Sequence, residues 1–327
     1  MLVVHSPEEV ARVAPRVVLA AGYFDGLHRG HCALLSEAIA LAERRDAQAW
    51  VLTFDPHPLS VVAPERCPPR LMTLSERLET LRRMAGLSGC LVLPFTEAFA
   101  ALTPMEFIRH TLGAWLGAGE RYCGVVSGPN WHFGHGHSGT LADLQTMTGG
   151  AVEILEVPFV IWNGAPVSST RIRAAIQSGD LESATAMLGR PYRICEHSGP
   201  APARGIGTRL GAPTANVLVQ SALMPPVGVY AADVRVEGEA ETDSWHRAVA
   251  NYGYRPTFPD ARPDRPVLEV HILGHEGALY GAGLEIAFLK RLRGERAFET
   301  PSALGAQIRL DIAQAQALPR PEDLRHD

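Results

Sequence analysis

Two histidines three residues apart, His28 and His31, close the run Gly22-Tyr23-Phe24-Asp25-Gly26-Leu27-His28-Arg29-Gly30-His31. Glycine lets a backbone approach an anion closely, and a helix start offers unpaired N–H groups to it. Imidazole N–H groups at such a turn stabilise charge developing on phosphate oxygens. That chemistry needs positioning and electrostatics, not a protein nucleophile. Gly22, Phe24, Asp25, Gly26 and Gly30 are the candidate nucleotide cradle around the two histidines. A polar loop with two satisfied histidines would show the same residues. A second clamp is written in Val167-Ser168-Ser169-Thr170-Arg171-Ile172-Arg173. Ser169 and Thr170 supply hydroxyls at another helix start, and Arg173 supplies a guanidinium. An ordinary N-cap followed by solvated arginines is the competing reading.

Two further blocks carry groups suited to a flat, polar-edged ligand. Thr53-Phe54-Asp55-Pro56-His57-Pro58 leaves a strand, so Asp55 and His57 can reach the same rim, although a proline-rich surface turn reads identically. Gly128-Pro129-Asn130-Trp131-His132-Phe133-Gly134-His135-Gly136-His137-Ser138-Gly139 combines rings with polar side chains, Asn130 and Phe133 among them. His132, His135 and His137 also have zinc-ligand chemistry. No cysteine or carboxylate lies close in sequence, and a polar loop explains them equally well.

These blocks must be held by alternating strands and helices. Strands are predicted at Val17–Ala21, Trp50–Phe54, Leu91–Phe95, Cys123–Ser127 and Val152–Val157. Helices are predicted over Ala33–Arg45 and Leu74–Ala85, the second opened by a Thr73/Glu76 capping box, with a third starting at Thr103-Pro104. The alternation specifies an α/β fold with a parallel, Rossmann-like sheet, whose ligands bind beyond the strand carboxyl ends. After about Gly189 prolines and glycines crowd the chain, and strand patterns follow at Val229–Val236, Ala248–Asn251, Val267–Leu273 and Leu284–Leu289. These predict an antiparallel β-barrel closed by a helix near Ser302–Ala317. The domains expected are 1–188 and 189–327.

The 327 residues carry 30 Lys+Arg against 35 Asp+Glu, with 46% hydrophobic and 20% charged residues. Such composition excludes wholesale disorder, and the net charge of -5 argues against a nucleic-acid partner. No apolar run approaches the roughly 20 residues a membrane helix needs, and the N-terminus does not read as a signal peptide. Five scattered cysteines without a CxxC pair fit free thiols in a reducing cytoplasm. No membrane partner is expected, and a homo-oligomer is compatible with the sequence.

Taken in order, the four blocks resemble the prokaryotic bifunctional riboflavin kinase/FMN adenylyltransferase (FAD synthetase) family; HxGH after a strand is a nucleotidyltransferase signature. The second half extends the resemblance through Gly207-Thr208-Arg209-Leu210-Gly211-Ala212-Pro213-Thr214-Ala215-Asn216, Pro226-Val227-Gly228-Val229-Tyr230, Val249-Ala250-Asn251-Tyr252-Gly253-Tyr254-Arg255-Pro256-Thr257-Phe258 and Leu268-Glu269-Val270-His271. It covers roughly residues 15–315. The resemblance implies an N-terminal domain in which the FMN phosphate attacks the α-phosphorus of ATP, giving FAD and pyrophosphate. His28 and His31 then serve the transition state, and Ser169, Thr170 and Arg173 hold phosphates from the other side. Asp55, His57, Asn130 and Phe133 fall to the flavin. It also implies a C-terminal flavokinase barrel in which the 5′-hydroxyl of riboflavin attacks the γ-phosphorus of ATP. There Gly207 and Gly211 approach the nucleotide, Thr214 and Asn216 hold its magnesium (Mg2+), and Glu269 is the general base. Without the resemblance, Glu269 reads as an outward-facing strand carboxylate.

The family pattern is altered in places. The loop from Glu196 to Arg209 is about two residues longer than usual, Thr208 and Ala212 replace a basic and an aromatic residue, and Pro200 and Pro202 remove backbone donors. Tyr23 replaces the usual Asn, and Pro129 enters the flavin loop. The leading expectation is an enzyme making FMN and FAD from riboflavin and ATP. The alternatives are an adenylyltransferase with a degenerate kinase domain, a paralogue acting on a modified flavin, and a non-catalytic flavin-binding protein.

Overall fold

The computed structural model describes residues 1–116, 121–199, 215–217, 219, 223–238, 245–254, 266–275, 279 and 281–321. Its chain divides into two compact units, Met1–Ser169 and Thr170–Asp327. In the first unit, β1 (Leu2–Val4) and α1 (Pro7–Val13) precede β2 (Arg16–Ala21), α2 (Arg29–Arg44), β3 (Gln48–Asp55), α3 (Pro58–Val62), α4 (Leu74–Arg82) and β4 (Leu87–Pro94). Next come α5 (Glu97–Ala100), α6 (Pro104–Leu112), β5 (Tyr122–Ser127), α7 (Leu141–Met147), β6 (Val152–Glu156) and the small hairpin β7 (Ile161–Trp162)–β8 (Ala165–Pro166).

The sheet order is β1-β4-β3-β2-β5-β6, and every pairing is parallel. The central strands read as continuous apolar runs because both faces are covered; Val17 to Ala20 are fully buried. One face packs Leu19, Trp50, Leu52, Phe107 and Ile108, the other Val18, Ala20, Leu35, Val51 and Leu81. Gly89 of β4 is required there, since a Cβ would stand 2.3 Å from the buried Trp50 ring. Helices start where the chain supplies N-caps. Thr73, Thr103 and Thr140 each close a capping box with the acid three residues on. Strand order reverses between β2 and β5. The loops leaving β2, β3 and β5 therefore gather at one edge, at the switch point where such sheets bind ligands.

The second unit begins with most of α8 (Ser169–Ser178), then α9 (Leu181–Leu188) and the strands β9 (Tyr192–His197), β10 (Ala215–Val217), β11 (Gly228–Val236), β12 (His246–Gly253), β13 (Val267–Ile272) and β14 (Gly283–Arg293). α10 (Pro301–Ala317) follows. Strand order is β10-β13-β12-β11-β14-β9, all antiparallel. The two outer strands meet: Ser198 bridges Val217, and the Gly199 N–H donates to the Asn216 carbonyl at 2.7 Å. The sheet thus closes on itself as a barrel. Alternate residues such as Ala248, Ala250, Leu268, Val270, Ile272, Ile286 and Phe288 fill the interior. Almost all of β11 is buried, and α10 packs against it and β12. Buried Asp233 pairs with Arg247 at 2.7 Å, and Arg293 with Asp311 at 2.9 Å. Arg247 also donates to the Ala315 and Leu318 carbonyls near the end of α10.

Candidate active site

The Gly22–His28 loop leaves β2 in a strained path. Phe24 (φ 60°), Gly26 (φ 83°) and Leu27 (φ 40°) all lie in the left-handed region. Bulky residues enter it only when the surroundings over-determine them. Here the Phe24 and Leu27 side chains are held in the core, no more than 1% exposed. Phe24 therefore offers the candidate cradle its backbone and not its ring. The Asp25 carboxylate is buried and accepts from the backbone N–H groups of Leu71 (3.1 Å to each oxygen) and Met72 (3.0 Å). It ties the cradle to the segment before α4.

His28 is the N-cap of α2: its Nδ1 accepts from the His31 N–H at 3.3 Å. Because Nδ1 is the acceptor, the ring proton is assigned to Nε2. The His28 and His31 rings stack with centroids 3.6 Å apart, and Phe24 meets His31 edge-on at 5.2 Å. Gly30 supplies close approach, with a Cβ there only 3.2 Å from the His28 ring. Ser169, at the start of α8, donates its hydroxyl to the Asp25 carbonyl at 2.9 Å, which brings that predicted block to the cradle. Exposed Thr170 and buried Arg173 follow on the same helix in the second unit.

Asp55 and His57 are half-buried at the end of β3, flanking the cis Asp55–Pro56 bond. His57 caps α3 as His28 caps α2, its Nδ1 accepting from the Leu59 N–H at 3.0 Å. Tyr23 lies edge-on to His57 with centroids 4.3 Å apart, and burial raises its phenol pKa against the lowering effect of Arg77. The Gly128–Gly139 loop divides in two. Asn130 is exposed, while Phe133 is 4% exposed and packs on Phe107 and Trp131 at 5.0 and 5.2 Å. Phe133 thus anchors the loop in the core. His132 and His135 are exposed with their Nδ1 atoms on the carbonyls of Asn130 and Ala100. Among the described residues no group of three or more His, Cys, Asp or Glu is placed to hold a metal ion.

The barrel builds a second constellation. Asn216 of β10 stands opposite Glu269 of β13, and Glu269 stands opposite Asn251 of β12. Directly opposed residues of antiparallel strands share one face, so Asn216, Glu269 and Asn251 form a row on the outside of the barrel. Asn216 Oδ1 is buried and accepts no hydrogen bond among the described residues. A neutral oxygen held dry beside a carboxylate fits a hard cation such as magnesium. Gly207, Gly211 and Thr214 lie outside the described residues, as does most of the altered loop. Asn251 was not singled out from the sequence, and only the strand register reveals its place beside Glu269.

A parallel sheet with two stacked histidines at its switch point defines a nucleotidyltransferase-type domain, and a closed antiparallel barrel with this row accompanies it. The FAD synthetase family model matches residues 11–171 and the riboflavin kinase model residues 188–318. The bifunctional riboflavin kinase/FMN adenylyltransferase of Bacillus subtilis is 33% identical over 96% of both chains, and that of Escherichia coli 35% identical over 91% of both. The chain belongs to the bifunctional riboflavin kinase/FMN adenylyltransferase family. The structure of a Streptococcus pneumoniae protein described as a macrolide-efflux protein superposes with a TM-score of 0.81 at 29% identity, covering 97% of this chain and 99% of that one. Among the described residues no helix is long and apolar enough to cross a membrane.

Proposed function

We infer that the chain makes FAD in two ATP-dependent steps. In the second unit the riboflavin 5′-hydroxyl attacks the γ-phosphorus of ATP. Its proton passes to Glu269, and FMN and ADP form. In the first unit an FMN phosphate oxygen attacks the α-phosphorus of ATP, the bond to the β-phosphate breaks, and pyrophosphate leaves. His28 donates from Nε2 to oxygens gaining charge, with His31 stacked beside it. Ser169, Thr170 and Arg173 complete the phosphate clamp, and Asp55, His57 and Asn130 receive the flavin. The nucleotide lies against the backbone from Gly22 to Gly30. In the barrel, Asn216 and Thr214 are the residues to hold Mg2+, with Gly207 and Gly211 along the nucleotide. The ion spreads phosphate charge during transfer.

The observation that carries the kinase step is the pairing of Asn216 with Glu269, because the loop before them departs most from the family. Substrate recognition is confined to small molecules, with no nucleic-acid or membrane partner proposed. The five cysteines are scattered and lack a CxxC pair, which supports a cytoplasmic enzyme. Product analysis by HPLC tests the reading, with ATP and Mg2+ supplied beside riboflavin in one tube and FMN in another. FMN and FAD from riboflavin are expected. FAD from FMN with riboflavin untouched would leave a transferase with a degenerate kinase barrel. No product in either tube would overturn both steps.

A further inference from the structure

A buried cation that no motif marks holds the two loops of the transferase site together. Arg77, on α4, is 2% exposed. Its guanidinium donates to the carbonyl oxygens of Tyr23 (2.5 Å) and Phe54 (3.1 Å) and to Thr53 Oγ1 (3.3 Å). It also lies over the Tyr23 ring, 4.5 Å from the centroid, and that ring abuts His57. These acceptors are neutral, and Nε is buried without a hydrogen bond among the described residues. A guanidinium is costly to bury on neutral partners, and its use here is its rigid, planar set of donors.

The two carbonyls belong to different segments, the Gly22–His28 loop and the end of β3. Tyr23 lies inside the Gly22–Gly30 cradle, and Phe54 directly precedes Asp55. A single planar fork therefore fixes the separation of the nucleotide loop from the flavin-side turn. The same stretch grips the cradle once more, through the Leu71 and Met72 amides on Asp25. We propose that Arg77 is a positioning residue for nucleotidyl transfer: its fork spaces the two loops, and its cation–π face on Tyr23 supports His57. This rests on the transferase reading given above. In-line transfer between two bound substrates is sensitive to such spacing, since a displacement of about 1 Å costs on the order of 100-fold in rate.

The test uses the full chain with Arg77→Met, Arg77→Lys, Tyr23→Leu and Tyr23→Phe. The kcat and KM values for FAD synthesis from FMN are measured beside riboflavin phosphorylation by the same preparations. Arg77→Met is expected to lose at least about 30-fold in kcat, with KM for FMN and ATP changed less than about threefold. Riboflavin phosphorylation should stay within about twofold, since the barrel is untouched. Arg77→Lys keeps the charge without the fork and should recover under a tenth of the rate. Tyr23→Leu should be about tenfold slower than Tyr23→Phe, which keeps the ring. Arg77→Met with wild-type kcat, or Arg77→Lys at full rate, would overturn the proposal. So would equal loss of both activities, the mark of general destabilisation. If Arg77→Met does not fold, the Tyr23 pair decides: equal rates for Leu and Phe overturn it. Wild-type protein unable to convert FMN is a different failure, that of the transferase reading itself.

Discussion

At the scale of single residues, histidine does two tasks in this protein with its two nitrogens. His28 and His57 each accept a capping hydrogen bond at Nδ1, which assigns the ring proton to Nε2. The tasks separate by substitution. His28→Asn keeps a good capping side chain and should hold thermal stability near wild type, yet cut FAD synthesis by about 100- to 1,000-fold. His28→Ala should lose the same activity and a further 1 kcal/mol or so of stability. Equal activity in the two variants and in wild type would remove Nε2 from the chemistry. Cysteine gives a pH prediction. Burial pushes the Cys90 and Cys123 thiols up to about 12, from an ordinary value of 9.0. The folded state keeps these protons where the unfolded chain releases them. Their contribution to stability is complete below pH 9.0 and falls as pH rises toward about 12. Melting curves from pH 8 upward should show that decline, and Cys90→Ala should flatten it.

The elements explain how much of the site was legible. Strand runs and capping boxes are local signals, so β2, β3 and the starts of α4 and α6 follow from the sequence; Thr73 and Thr103 cap as their spacing predicts. The four motif blocks are legible as candidates because their residue types are unusual for ordinary loops. What those side chains touch is set by the tertiary fold. Phe133 and Asp25 have the chemistry of ligand contacts, and packing directs them to the Phe107 ring and to the Leu71 and Met72 amides. Arg77 reads as one more charged residue on a helix, and its burial depends on strands far from it in sequence. Asn251 falls in a quoted block, but its place beside Glu269 follows only from strand register, which no local pattern fixes across β12 and β13. β10, three residues long, has too few residues to announce a barrel's edge. Asp25 supplies the prediction for this scale. Asp25→Ala leaves the buried Leu71 N–H without its acceptor and should cost about 1–3 kcal/mol by denaturant unfolding. FAD synthesis should fall with it because the cradle loses its tie to α4. A stability within 0.5 kcal/mol of wild type, an error-sized change, would show the tie to be dispensable.

For the molecule as a whole, two units with separate cores imply two separable activities. Glu269→Gln should lower riboflavin phosphorylation by about 100-fold or more and leave FMN adenylylation unchanged, since the substitution lies in the barrel's outer row. Supplied with FMN, this variant should make FAD at the wild-type rate, and HPLC of both reactions settles it. Loss of both activities would tie the units together energetically. The closed barrel has one more consequence, which concerns the order of events on the ribosome. β9 opens the barrel in sequence, yet its partner is β14, where Tyr192 pairs with Phe288 and His197 with Gly283. Nothing in between can substitute for that partner. At roughly 5–20 residues per second, β9 waits several seconds after emerging before its edge can be covered. The parallel sheet has waits of its own: β1 pairs only with β4, Leu2 opposite Gly89, and β2 needs β5, Arg16 opposite Tyr122. Synthesis therefore leaves a strand edge uncovered for seconds in each unit, and holding such edges apart from other nascent chains is work for a chaperone.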